Sequence, residues 1–228
     1  MVMAKERYIA AGVITAIVFL LGLAIGLAIE GKRVTYVADQ LTAERVEFSS
    51  SQIQYNLITL LNVSNNCPVI NEIFYNNLER LEKTRMRVSD YGKDSKINDE
   101  SFDLLKRQYT IEQVNYWLLS KKAQEACKTD FVRLIFFYST PKDCPDCEDQ
   151  ATALNYIKAL FNEKTLIFVI DADFIQEPIV DIMKKQYNVT KFPTVVVEDQ
   201  VFDEFLSKDD LMAHICGHLK NATQCRGG

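Results

Sequence analysis

The sequence predicts an α/β protein. It should hold a four-stranded mixed sheet flanked by helices, behind an N-terminal transmembrane helix and an all-α helical stalk or bundle. Three observations carry this. An uncharged apolar run opens the chain. Residues 31–128 repeat apolar positions at helical spacing, with Pro68 their only proline. From residue 129 onward, short runs of branched and aromatic residues alternate with helical patterns, in the order β-α-β and then α-β-β-α.

The opening run, Tyr8 to Ile29, is 22 residues without a charge, bounded by Arg7 and Glu30. About 20 apolar residues suffice for a helix to cross a bilayer. The run exceeds the apolar region of a signal peptide, and no A-x-A cleavage site closes it. Residues 1–30 therefore read as a retained, single-pass signal anchor. Flanking charge does not orient it, since Lys5 and Arg7 face Lys32 and Arg33 across the run. Gly22 and Gly26 form a G-x-x-x-G face, a candidate for weak self-association in the membrane.

Residues 31–128 read as a helical domain. Val34, Val37, Leu41 and Phe48 share a helical face that Ile53, Leu57, Leu60 and Leu61 resume, and Asn62 to Asn66 interrupts it. Pro68 suits the first turn of a second helix, with Ile70, Phe74, Leu78 and Leu81 on one side. Tyr91 to Asp99 is polar and reads as a loop. A third helix follows from Asp99 to about Lys122, with Phe102, Leu105, Tyr109, Val114, Trp117 and Leu118 apolar. These stripes are core for a helical hairpin or small bundle. Cys67 begins the second helix and Cys127 follows the third. Antiparallel packing would bring the two thiols to one end, close enough for a disulfide.

The next domain, 129–220, opens on Val132 to Tyr138, a run with one charge, Arg133, that reads as a buried strand. Ser139 to Asp143 contains Pro141 and turns the chain. Cys144-Pro145-Asp146-Cys147 follows, and then Ala151, Leu154, Ile157, Leu160 and Phe161 recur at helical spacing. The two cysteines thus fall where a strand hands over to a helix N-terminus. Unpaired N–H groups and a partial positive charge there favour a thiolate at Cys144, the reactive form of cysteine. Cys147, three residues on, is within reach to resolve a mixed disulfide. Pro145 is tolerated at a first helical position, whereas the charge of Asp146 opposes a thiolate.

Beyond the cysteines come a strand, Thr165 to Ile170, and a helix from Glu177-Pro178 to Gln186 with Ile179, Ile182 and Met183 buried. A strand pair, Thr194 to Glu198 and Val201 to Phe205, turns at Asp199-Gln200. The last helix opens on Ser207 and Asp210, a capping-box pattern, and buries Leu211, Ile215 and Leu219. Residues 221–228 form a tail.

From about Phe131 to Leu219 the chain resembles the thioredoxin-like superfamily. Three matches carry the resemblance. The first is the strand, C-P-D-C, helix order. The second is the strand ending in Asp171-Ala172-Asp173. The third is Tyr187-Asn188-Val189-Thr190-Lys191-Phe192-Pro193-Thr194, which looks like the family's approach to its cis-proline. The resemblance implies a cis peptide before Pro193, a loop there facing the C-x-x-C, and substrate contacts from Phe192, Thr194, Pro145 and Asp146. It implies thiol–disulfide exchange on protein cysteines, with Cys144, Cys147 and Pro193 as the catalytic set and no cofactor or metal. The family's buried first-strand acid aligns with Phe136. Asp143, Asp146, Glu148 and Asp149 are the nearby acids that would stand in for it. Direction of electron flow stays open.

Composition narrows the class. A net charge of −5, a pI near 5.2 and no extended basic cluster exclude a nucleic-acid binder. Six cysteines behind a membrane segment favour an oxidising, extracytoplasmic setting. Expected partners are the membrane, protein thiol or disulfide substrates and a redox recycling partner. Cys216 and Cys225 are a candidate local pair. Two other classes remain open. One is a non-catalytic interaction module. The other is a metal-binding protein using Cys144 and Cys147 with the H-x-C-x-H cluster of His214, Cys216 and His218. Asn62, Asn188 and Asn221 head N-glycosylation sequons.

Overall fold

The structure is a computed structural model and describes residues 12–24, 46, 49–50, 52–57, 67–91, 99–220 and 222–226. The chain divides into two compact units, Met1–Asn56 and Leu57–Gly228.

In the first unit residues 12–24 are helical and every one of their side chains is exposed, among them Ile14, Val18, Phe19 and Leu20. No helix among the described residues is long and apolar enough to cross a membrane. The ends of the apolar run, residues 8–11 and 25–29, lie outside the described residues, as does Gly26 of the G-x-x-x-G face. So do most of the stripe from Val34 to Phe48 and the Asn62–Asn66 interruption.

In the second unit α1 (Cys67–Tyr91) and α2 (Asp99–Cys127) pack side by side as a hairpin. The second member runs to Cys127, one turn beyond the expected end near Lys122. The order continues β1 (Val132–Tyr138), α3 (Cys147–Phe161), β2 (Thr165–Asp171), α4 (Pro178–Gln186), β3 (Thr194–Val197), β4 (Gln200–Phe202) and α5 (Lys208–His218). The sheet order is β2-β1-β3-β4. Strand β1 is parallel to β2 and antiparallel to β3, and β3 is antiparallel to β4. This is the mixed four-stranded sheet expected from the sequence. The expected boundary at 128/129 falls between α2 and β1, inside the second unit.

Alternation along the strands divides the core between the two faces of the sheet. Ile135 and Phe137 of β1, with Phe168, Ile170 and Val196, pack against Ile70, Val114 and Trp117 of the hairpin and against Val180 and Met183 of α4. Val132, Leu134 and Phe136, with Val195 and Val197, pack against Leu154, Ile157 and Phe161 of α3 and Leu211 and Ile215 of α5. Burying each such side chain is worth about 1.5–3 kcal/mol. Rings bind the hairpin together and to the sheet: Phe74 of α1 stacks on Tyr116 of α2 at 4.7 Å, and Tyr116 lies 6.1 Å from Phe168 of β2. Helix α4 buries Val180 and Met183 but leaves Ile182 59% exposed. Its inward stripe is Val180, Met183 and Tyr187, and a nine-residue helix has no second face to bury.

Two polar devices complete the sheet. Gln113 of α2 donates from Nε2 to the Val169 carbonyl at 3.0 Å and accepts from the Val169 N–H at 2.8 Å. A side-chain amide thereby satisfies the outer edge of β2. At the other end of β1, Arg133 forms a buried ion pair with Glu198, whose carboxylate also accepts the Arg133 N–H at 2.7 Å. Glu198 has a φ of 55°. The β3–β4 turn therefore falls at Glu198 and Asp199, one residue earlier than expected, and β4 ends at Phe202 rather than Phe205.

All six cysteines are paired: Cys67–Cys127, Cys144–Cys147 and Cys216–Cys225. The first clamps the start of α1 to the end of α2, with Cα atoms 5.4 Å apart.

Candidate redox site

Strand β1 delivers the chain to the site. Its last residues, Phe137 and Tyr138, pair with Ile170 and Asp171 of β2 on one side, and Phe137 faces Thr194 of β3 on the other. The chain then turns over Thr140. The Thr140 carbonyl accepts the N–H of Asp143 at 3.0 Å and of Cys144 at 2.8 Å, while the Thr140 hydroxyl donates to Asp143 at 3.0 Å. Asp173, in the loop after β2, accepts from the Ser139 hydroxyl at 2.7 Å and from the Thr140 N–H at 3.2 Å. The Ala172 N–H donates to the Tyr138 carbonyl at 2.9 Å. Six hydrogen bonds thus hold the approach to Cys144.

Helix α3 begins at Cys147, with Asp146 as its N-cap and no side-chain capping bond. This corrects the expected placement. Cys144 and Pro145 lie in the preceding turn, not in the first helical turn, because the N–H of Cys144 is already committed to Thr140. The cysteine that occupies the N-terminus of the helix is Cys147. In the disulfide-bonded state Cys144 is 1% exposed, whereas Cys147 is partly exposed. Pro145 and Asp146 are both exposed beside them.

The Phe192–Pro193 peptide is cis. Because Thr194 is opposite Phe137, Pro193 enters β3 beside the end of β1 from which the cysteine turn departs. Thr194 is buried and its hydroxyl donates to the Lys191 carbonyl at 2.7 Å, so it serves the loop rather than facing outward. Phe192 is half-buried against the hairpin-side core. Of the expected substrate-contact residues, Pro145 and Asp146 face solvent, while Phe192 and Thr194 are turned mainly inward.

Phe136, in the place aligned with a buried acid, is 2% exposed and packs 6.0 Å from the ring of Tyr138. Asp143, Asp146, Glu148 and Asp149 all lie at the surface. The titratable group nearest the end of β1 with a displaced equilibrium is Tyr138. Burial, reinforced by Asp171, pushes its hydroxyl up to about 12.

One residue of the site was missed in the sequence. Gln150, fully buried in the first turn of α3, accepts the Leu206 N–H at 2.8 Å and donates to the Leu206 carbonyl at 3.3 Å. It ties the cysteine helix to the loop after β4. That loop is joined in turn to the proline loop by the Lys191–Asp203 pair at 3.0 Å. The available signal was a glutamine on the same stripe as Ala153, Leu154 and Ile157.

The alternative metal set is not brought together. Cys216 is bonded to Cys225, Cys144 to Cys147, and His214 packs on the ring of Phe202 at 4.3 Å. Among the described residues no group of three or more His, Cys, Asp or Glu could hold a metal ion.

No protein-family model matches the chain, and no curated protein matches it. Solved structures similar to it include thioredoxins. A malarial protein is 21% identical, with 40% of this chain and 100% of that chain covered and a TM-score of 0.34. Thioredoxin-2, a component of the malaria parasite protein secretion machinery, is 20% identical, with 40% and 85% covered and a TM-score of 0.33. A chloroplastic thioredoxin z is 17% identical, with 42% and 85% covered and a TM-score of 0.32. Scores this low carry no argument about activity, which has to come from the site itself.

Proposed function

We propose that this protein is a membrane-anchored thiol–disulfide oxidoreductase acting on protein cysteines through Cys144 and Cys147. The observation that carries the reading is one arrangement. A C-x-x-C disulfide at the end of a central strand leads into a helix, and a cis-proline enters the neighbouring strand beside it. The reaction is exchange. A substrate thiolate attacks the disulfide and one protein thiolate leaves; a second substrate thiolate then attacks the substrate sulfur of the mixed disulfide, which releases an oxidised substrate and the reduced protein pair. Run in reverse, the reduced pair transfers two electrons to a substrate disulfide. Cys144 carries the mixed disulfide and Cys147 resolves it in this reading. Because Cys144 is 1% exposed when the pair is closed, access to its sulfur comes with opening of the turn over Thr140.

The apolar run from Tyr8 to Ile29 supports an anchor by its length, and three cysteine pairs support an oxidising, extracytoplasmic setting. A redox partner that recycles the pair follows from the chemistry.

The test is the reduction potential of the Cys144–Cys147 pair. The full chain is equilibrated with glutathione, thiols are trapped, and the pair is quantified by peptide mapping beside Cys144→Ser and Cys147→Ser. A value near −120 to −200 mV identifies an oxidant or isomerase, and one near −270 mV a reductant. Cys147→Ser is expected to accumulate the mixed disulfide. If Cys144→Ser accumulates it instead, the two thiols exchange roles. If the pair never cycles across that range, the enzyme reading fails.

A further inference from the structure

The strand order and directions bring four loops to one end of the sheet. These are residues 139–146 after β1, 172–177 after β2, 187–193 before β3 and 203–207 after β4. The disulfide and Pro193 lie in the middle of that row. At its two ends stand apolar side chains turned to solvent: Ile175 beyond β2, 81% exposed, and Phe205 beyond β4, 42% exposed. Both sit in loops that are otherwise well tied. Asp171, Asp173 and Phe174 hold the first through Lys106, Ser139 and a cation–π contact of 4.6 Å, and Gln150 and Lys191 hold the second. Each is thus an apolar side chain held in solvent by a tied loop, one at either end of the row that carries the disulfide.

Charge on the same surface is one-sided. Asp143, Asp146, Glu148 and Asp149 are exposed on either side of the disulfide in the chain, and Asp203 and Glu204 are exposed in the loop beyond β4. Against them stand Lys142, Lys191 and Lys208, of which Lys191 is engaged with Asp203 and Lys208 lies over the Tyr156 ring. Adjacent strands are about 4.8 Å apart, so the row from β2 to β4 spans about 14 Å, the length of roughly four residues of extended chain.

Resting on the exchange reading, we propose that the preferred substrate is an extended, positively charged polypeptide segment. It crosses the strand ends with its cysteine over the Cys144–Cys147 bond and an apolar side chain near each end, against Ile175 and Phe205. The carboxylates attract it and repel acidic segments, which raises the rate of encounter more than it strengthens the final contact.

The experiment uses the full chain and three probes. Two are synthetic disulfide peptides identical except for Lys and Arg or Asp and Glu beside the cysteine. The third is the small neutral hydroxyethyl disulfide. Exchange rates are measured at about 20 mM and about 200 mM salt, on either side of the ionic strength at which screening sets in. The basic peptide is expected to react about tenfold faster than the acidic one at low salt, with the gap closing at high salt. In Glu204→Lys the ratio of the two peptide rates should fall, a readout that cancels any change in the thiols themselves. Replacing the flanking apolar residues of the basic peptide by serine should slow it at both salt concentrations. Equal rates for both peptides, or a faster acidic peptide, overturn this inference and leave the exchange reading standing. No exchange even with hydroxyethyl disulfide sinks the exchange reading, and this one with it.

Discussion

Gln150 does the work of a backbone strand with one side chain. Its amide meets both main-chain groups of Leu206, in a place where neither could find water. Gln150→Ala should lower stability by about 1–3 kcal/mol, since it strands two buried polar groups. Gln150→Glu sets a fully buried carboxylate against the Leu206 carbonyl, so near neutral pH it should destabilise at least as much as Ala, and the loss should shrink in acid, where protonation restores a donor. Denaturant unfolding of the oxidised protein checks both. The variants should also alter the Cys144–Cys147 potential, because the first turn of α3 loses its tether. Tyr138 offers a test by pH. Its proton is held more tightly in the folded chain than at the ordinary tyrosine value of 10.0. The unfolded chain thus binds fewer protons between pH 10 and about 12, and stability falls as pH rises through that window. Tyr187, also pushed up to about 12 by burial, adds to the fall. Tyr138→Phe should flatten it, measured as the denaturant midpoint against pH. An unchanged slope would show that burial of this hydroxyl has been misjudged.

At the level of elements, the Cys67–Cys127 bond joins positions 60 residues apart at one end of the hairpin. Replacing both cysteines by alanine should cost about 2–4 kcal/mol. The exchange pair should still cycle, because the clamp lies near the start of β1 and the C-x-x-C beyond its end. Loss of cycling in that variant would mean the hairpin does more than cover the sheet. The elements were also what the sequence displayed best. Val132–Tyr138 alternates between two buried faces and carries one charge, so it was legible as a central strand. Ser207 and Asp210 form the capping box that their spacing suggested. What stayed hidden depended on contacts between distant residues. Ile182 looked buried because a periodic pattern does not say how wide the covering surface is. The β3–β4 turn moved because Arg133, 65 residues away, holds Glu198 in a left-handed conformation. The start of α3 moved from Pro145 to Cys147, and the Thr140 carbonyl holds the N–H groups of Asp143 and Cys144 in the turn before it.

For the whole molecule, the sequence displayed the chemistry of the site more clearly than its surroundings. C-P-D-C and Phe192-Pro193 are local patterns. The loop row around them exists only once strand order is set, and so do the ties from Asp173, Gln150 and Lys191. The hairpin has a second consequence, at the outer edge of β2. An uncovered edge strand offers its main-chain groups to any passing chain, and that is how sheets grow into fibrils or swap segments between copies. Gln113 already holds the Val169 N–H and carbonyl. The other edge, β4, is three residues long and offers little template. In the proposed exchange reaction, a substrate chain crossing the strand ends would find little on either edge of the sheet to pair with.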